Sequence, residues 1–280
     1  MVVFRHRGSY YGRRALLYAA LIVLALLFVF PVFWLVTSSF KPSADTIANP
    51  PLIWPQTWTL DNFTQVFTTV PFGRWIFNTT LVAASVTGVA LLFHSMAAYS
   101  LARLRFPGRG LLFVAVISTL MITFPVILVP LFLLVKQLGW VNTYWALIIP
   151  NIFNASGIFL MRQFYLGIPR ELEEAAIIDG ASLVRVYYSI ILPLARPIIA
   201  ALSIFFFLAN WNFFLWPLVV TTDPNLEVLQ VGLATLSGQY NTQWNLILAA
   251  SLVAALPIVA LFTFFQRFIV ESVKMSGLKL

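Results

Sequence analysis

Cysteine is absent from this 280-residue chain, which excludes a disulfide framework and any thiolate metal site. Histidine is nearly absent: His6 and His94 lie far apart in sequence with no cluster of carboxylates, so no metal site is expected. Charged residues make up 9% of the chain, and none falls inside its long apolar runs. A carrier driven by a proton or sodium gradient keeps an ionisable group near the middle of the bilayer, so this scarcity disfavours that class. None of the 13 glycines is followed by lysine, so no G-x-x-x-x-G-K-[ST] phosphate loop exists and ATP binding by this chain is not expected. No nucleophile with a matching base stands out, and neither enzymatic activity nor a cofactor of its own is expected.

Apolar residues fill the space that charge leaves, at 61% of positions, which marks a membrane protein. Uncharged runs extend over Ala15–Phe40, Trp75–Ala102, Gly110–Val135, Gln137–Met161, Pro197–Thr222 and Val228–Gln266. Each exceeds the roughly 20 residues that a helix needs to cross about 30 Å of hydrocarbon. The last run opens on Ser237, Gln239, Asn241, Thr242 and Gln243, so its spanning part shifts toward Leu246–Val270. Barrel strands would be shorter and would alternate. The expected class is therefore all-α, an integral membrane protein with six spans over about 15–37, 75–101, 110–135, 145–161, 197–220 and 246–270.

Fourteen of the 17 basic residues flank one side of these spans, and only Lys41, Arg74 and Lys136 fall on the other. By the positive-inside rule both termini and the loop 162–196 face the cytoplasm, in a plasma or inner membrane. Topology and anionic lipid account for the net charge of +8, so nucleic acid is not an expected partner. Met1–Arg14 and the run behind it read as an uncleaved first span. Trp34, Trp54, Trp58, Trp75, Trp140, Trp145, Trp216 and Trp244 map to the outer ends of spans or outer loops, as an interfacial belt. Contact with an external partner is the other reading of these tryptophans.

The loops are unequal. Outside, Lys41–Arg74 is long, with a short candidate helix near Leu60–Phe67 capped by Asp61 or Asn62, and Thr221–Asn245 carries the turn sequence Thr221-Thr222-Asp223-Pro224-Asn225. Inside, only 162–196 is large. This distribution suggests two working faces on a single transmembrane domain covering 1–280. Pro31, Pro125, Pro130, Pro217 and Pro257 lie within spans, where each removes a backbone hydrogen bond and favours a kink. His94, near Ser95 and Tyr99, reads as a buried hydrogen-bonded side chain.

The large inner loop has the most specific pattern in the chain: Glu174-Ala175-Ala176, then Gly180, then Ile190, Leu192 and Pro193. Its residue types predict a short helix after Pro169 with Glu171, Glu173 and Glu174 in its first turn, where the helix dipole favours negative charge. Gly180 can take the left-handed conformation that ends such a helix, Ser182 can cap the next, and Pro193 can stop that one. The result is an acidic, Ala-backed elbow that another protein can approach closely.

E-A-A-x3-G-x9-I-x-L-P resembles the cytoplasmic loop signature of permease subunits of ABC importers. Asn210-Trp211-Asn212-Phe213-Phe214-Leu215-Trp216-Pro217-Leu218 is similar to a segment of carbohydrate-type permeases, and Gln266–Lys274 resembles the tail of maltose-type second permeases. The resemblance implies a type I importer fold and a second, non-identical permease beside this one. It also implies two copies of a P-loop ATPase that hold ATP and magnesium, an extracytoplasmic solute-binding protein, and membrane lipid around the bundle. On this reading Glu173, Glu174, Ala175, Ala176, Asp179, Gly180 and Pro193 form the coupling elbow, with Glu174 pairing to a basic group on the ATPase. Asn151, Asn154, Asn210, Trp211 and Asn212 supply neutral polarity within the spans, suited to a hydroxyl-rich solute or to bonding between helices. Glycerol-phosphate, polyol or amino-acid uptake remain alternative substrates, and a secondary carrier or membrane scaffold remain alternative classes.

Overall fold

The computed structural model describes residues 7–238 and 243–277, with side chains of the last helix described up to 264. Every regular element among these residues is helical, as the sequence predicts. The chain forms two compact units, one from the described residues of Met1–Val70 and Thr235–Ala255, the other from those of Pro71–Ala234 and Leu256–Leu280.

The first unit contains α1 (Arg7–Ser39), α2 (Ser43–Thr46) and α3 (Asp61–Thr69). Leu, Val and Phe side chains on every side of α1 are exposed, as hydrocarbon contact requires, and Pro31 lies inside it without breaking it. Beyond α1 the chain becomes tightly fastened. Lys41, 1% exposed, donates from Nζ to Ser38 Oγ at 3.0 Å and to the Leu52 carbonyl at 2.5 Å, and its ammonium sits 4.3 Å from the Trp34 ring centroid. Burial lowers the Lys41 pKa from its ordinary 10.5, partly offset by Asp45. The expected helix at Leu60–Phe67 forms as α3, yet neither Asp61 nor Asn62 caps it. Both fall inside the first turn, where Asp61 donates its N–H to Thr59 Oγ1 and Asn62 is buried and bonded elsewhere.

The second unit is organised around α4 (Phe72–Arg103), followed by α5 (Arg109–Ser118), a 3-10 turn, α6 (Phe124–Gln137), α7 (Tyr144–Ile152) and α8 (Ala155–Leu166). α4 packs against α7, α8 and α12 (Arg196–Trp211). Its buried positions include Ala83, Ala90, Ala98 and Ala102, small residues that bring backbones close where van der Waals packing, rather than the hydrophobic effect, drives association. Gly157 of α8 serves the same purpose, since a Cβ there would overlap His94 and Phe206. Near the N-terminal end of α4, Asn78 Nδ2 donates to the Asn225 and Glu227 carbonyls at 2.8 and 2.9 Å, and Thr79 Oγ1 accepts from the Leu229 amide at 2.7 Å. The predicted turn at Asp223–Asn225 is present: Asp223 Oδ1 accepts from the Asn225 amide at 2.9 Å.

Among the described residues three helical stretches are long and apolar enough to span: Arg14–Ser39, Phe72–Arg103 and Trp244–Phe264 within α15 (Trp244–Gly277). Three further spans are bent pairs, which brings the total to six if each pair counts once. The bends are 101° between Arg109–Met121 and α6, 41° between α7 and α8, and 73° between Leu183–Leu194 and α12. The stretches read as spans over 110–135 and 145–161 thus each consist of two helices joined at a bend. Pro125 sits in the first turn of α6, Pro150 lies inside α7, and Asn154 starts α8 afresh by capping it. The span 197–220 is likewise interrupted at Asn212–Phe214 before α13 (Leu215–Val220), ahead of α14 (Leu229–Gly238).

Trp54, Trp58, Trp145 and Trp244 are exposed, as an interfacial belt requires, whereas Trp75 and Trp216 are buried. Trp216 is fully buried and donates from Nε1 to the Ala146 carbonyl at 2.8 Å, so it fixes α13 to α7.

Candidate functional site

The loop between α8 and α12 folds as the elbow its residues foretell. α9 (Glu171–Ile178) carries Glu171, Glu173 and Glu174 in its first turn, where carboxylates complement the free amides. It ends at Gly180, φ +85°, with the Gly180 amide bonded to the Ile177 carbonyl at 3.0 Å and the Ala181 amide to the Ala176 carbonyl at 2.9 Å. That pair of bonds is a Schellman motif, which satisfies carbonyls the helix leaves open. Ser182 Oγ accepts from the Arg185 amide at 3.3 Å and starts α10 (Leu183–Val186).

Pro193 does not stop the next helix. A π-helical turn, Tyr187–Ile191, leads into α11 (Leu192–Leu194), and the chain bends only at Ala195. The Leu192 amide reaches back to the Tyr187 carbonyl, and the widened turn accommodates a proline that has no amide to give.

Glu173 and Glu174 part company. Glu174 is exposed, together with Ala175 and Asp179, while Ala176 is partly buried against the core. Glu173 turns inward: its Oε1 lies 3.1 Å from Arg103 Nε at the end of α4, with side-chain exposures of 12% and 4%. The Arg103 Nη2 also donates to the Tyr165 and Ile168 carbonyls at the end of α8. Tyr99 donates to Glu173 Oε2 at 3.5 Å. Below this, Ser95 Oγ lies 2.6 Å from the Tyr165 hydroxyl and 2.7 Å from that of Tyr187. The elbow is thereby tied to α4 and α8 at two levels. Its surface also presents apolar side chains beside the acidic ones, with Leu172, Ile177, Leu183 and Val184 exposed and Ile178 85% exposed. Sequence reading gave weight to the acidic and small residues and overlooked these aliphatic ones, although their spacing around Gly180 was on the page. Arg103 and the tyrosines were beyond its reach, since only folding brings residues 99, 103, 165, 173 and 187 together.

A second feature is a cleft of about 290 Å³ among α4, α6, α7, α8 and α12. Asn151, Asn154 and Asn210 line it, beside Phe124, Phe153, Phe206 and Phe213. Asn151 and Asn210 each donate their amide hydrogens to the carbonyl four residues back, Leu147 at 2.7 Å and Phe206 at 2.8 Å, which orients the side chains. Asn154 Oδ1 caps α8 by accepting from the Ser156 amide at 2.9 Å, and the Asn154 amide donates to His94 Nε2 at 3.1 Å. His94 is thus buried and hydrogen-bonded, as expected of it. Trp211 and Asn212 do not join this cleft. Trp211 is buried and stacks on Phe207 with centroids 5.6 Å apart, and Asn212 is exposed, bonded to the Leu208 carbonyl. Among the described residues no Lys, Arg, Asp or Glu lines the cleft. Among the described residues no group of three or more His, Asp or Glu could hold a metal. The tail resemblance at Gln266–Lys274 concerns side chains outside the described ones.

A bundle of whole and broken apolar spans with a fastened helical elbow defines a membrane transport component. The chain belongs to the family described as binding-protein-dependent transport system inner membrane component, which it matches over residues 94–275. It is a permease subunit of an ABC importer, not an enzyme, and works with a solute-binding protein. Arabinooligosaccharides transport system permease protein AraQ of Halalkalibacterium halodurans is 40% identical over 259 residues, 91% of this chain and 93% of that one. Diacetylchitobiose uptake system permease protein NgcG of Streptomyces coelicolor is 34% identical, with 92% and 87% covered. Trehalose/maltose transport system permease protein MalG of Thermococcus litoralis is 31% identical, with 95% and 97% covered. A chain of a bacterial ABC transporter involved in alginate import has the same fold, with a TM-score of 0.82 at 20% identity, covering 95% of this chain and 99% of that one.

Proposed function

We propose that this permease translocates a neutral saccharide, delivered from outside by the solute-binding protein, through the cleft that Asn151, Asn154 and Asn210 line. The observation that carries this reading is the chemistry of that cleft: three amides among phenylalanines, with no charged side chain. Amides exchange hydrogen bonds with hydroxyls without demanding ionisation, and aromatic rings pack on pyranose faces. The saccharide names of the relatives above agree with it. One relative, 32% identical, is an sn-glycerol-3-phosphate permease of Rhizobium meliloti, but a phosphate ester calls for cationic groups, which this cleft lacks.

Two ATPase subunits on the cytoplasmic side grip the elbow from Glu174 to Pro193. Ile178, Leu183 and Val184 fill a groove on the motor, Glu174 pairs with a basic side chain there, and Glu173 holds the elbow on its own bundle. A second, non-identical permease completes the pathway. Both termini face the cytoplasm, and the chain acts as one membrane domain despite its two compact units. Uptake of labelled arabinobiose or maltose into vesicles holding the assembled importer tests this. Uptake should require ATP inside and binding protein outside; uptake driven by an ion gradient without ATP, or none of any saccharide the binding protein holds, would overturn it.

A further inference from the structure

The first unit contains a larger cleft outside the proposed transport pathway, about 650 Å³, bounded by the loop after α1, by α3 and by the start of α15. Trp58, Asp61, Asn62, Gln65, Gln243 and Asn245 are among its lining residues.

The floor of this cleft is a pair of buried amides whose orientation is forced. Asn62 spends its Nδ2 on the Ser39 and Lys41 carbonyls, both at 2.8 Å, so its Oδ1 must accept. Asn245 Nδ2 supplies that hydrogen at 2.7 Å. The remaining atom, Asn245 Oδ1, is then fixed as an acceptor; it is buried in a residue only 6% exposed and has no partner. A buried acceptor without a donor is costly, and the lone gap in an otherwise satisfied amide pair is a place for a ligand's O–H or N–H.

The walls specify what carries that hydrogen. Trp58, 54% exposed, is braced by Trp54 and Phe40 with ring centroids 5.6 Å away in each case, a platform held ready for a flat apolar face. The exposed Asp61 accepts only, while the exposed Gln65 and Gln243 both donate and accept. An apolar plate, two acceptor positions and two amphoteric amides together suit a ring that bears hydroxyls. A cation would be matched by Asp61 and Trp58 but would leave the amide hydrogens of Gln65 and Gln243 unused.

We infer that the first unit holds a saccharide site of its own, separate from the translocation cleft, in which Trp58 stacks on a sugar ring and Asn245 Oδ1 and Asp61 accept its hydroxyls. The inference rests on the proposed outward placement of this loop, and it makes the permease a receiver of the solute as well as a channel for it.

The test uses the assembled importer in lipid nanodiscs without binding protein, with saturation-transfer NMR of maltose and of arabinobiose as probes. Transfer to at least one sugar is expected, reduced about tenfold by Trp58→Ala, the loss of one good contact, and clearly reduced by Asn245→Leu. Asn210→Leu, in the other cleft, should leave this signal unchanged while impairing uptake. Equal signals in wild type and Trp58→Ala, abolition by Asn210→Leu instead, or displacement of the sugar by choline would overturn the inference. Vesicle uptake with binding protein distinguishes the failures: intact uptake with no Trp58-dependent signal removes this site alone, whereas absent uptake removes the transport reading.

Discussion

At the scale of single residues, several side chains have roles that chemistry alone assigns once neighbours are known. Gly157 is one: alanine there would push into His94 and Phe206, and overpacking of this kind costs about 1–3 kcal/mol. Gly157→Ala should lower the thermal midpoint in detergent by several degrees, whereas Gly88→Ala, with open space at its Cβ, should not. Arg103 and Glu173 form a buried pair, so removing one partner strands the other at a cost of about 3–5 kcal/mol. Arg103→Met should destabilise more than the double variant with Glu173→Leu, a comparison that denaturation curves make directly. Glu227 titrates in a telling direction, since burial, aided by Asp223, raises its pKa from the ordinary 4.5. The folded state then holds that proton more tightly; its stabilisation is full below 4.5 and is lost as pH rises through the folded value. Glu227→Gln should therefore melt higher than wild type at neutral pH, with the gap closing below 4.5, as a thermal series across pH will record. Of these residues the sequence marked only Glu173, and that for the elbow rather than for its pairing, because a glycine's neighbours and a carboxylate's surroundings come from other helices.

At the scale of elements, legibility depended on whether the determining signal was local. α9, its acidic first turn, its end at Gly180 and the Ser182 cap all depend on residues within a few positions of one another, and all could be read directly. The bends were less legible. Pro31 and Pro257 sit inside continuous helices, while breaks fall near Pro125 and at Asn154, so a proline does not by itself mark a break, since a membrane helix can accommodate one. The π turn before Pro193 shows the same accommodation. For the elbow, Gly180→Pro cannot keep φ at +85° and should uncouple ATP hydrolysis from uptake far more than Glu174→Ala. An exposed ion pair is worth only about 1 kcal/mol, whereas the shape of the whole turn positions Ile178. Substrate-stimulated ATPase activity measured beside uptake in vesicles decides between them; normal coupling in Gly180→Pro would defeat the coupling role of this turn.

At the scale of the molecule, composition sufficed for an all-helical membrane protein, and the inner-loop signature sufficed for the importer family. What neither conveyed is how the two distant places on the second unit are connected. α8 begins at the Asn154 cap beside the asparagine-lined cleft and ends beneath the guanidinium of Arg103, which also clasps the elbow through Glu173. Twelve residues of regular helix make a stiff strut about 18 Å long between these points. Its near end is jointed at the 41° bend. If ATPase subunits pull on the elbow as proposed, α9 should not peel away alone; the strut should move with it, and pivoting at this same joint should widen or pinch the cleft by leverage.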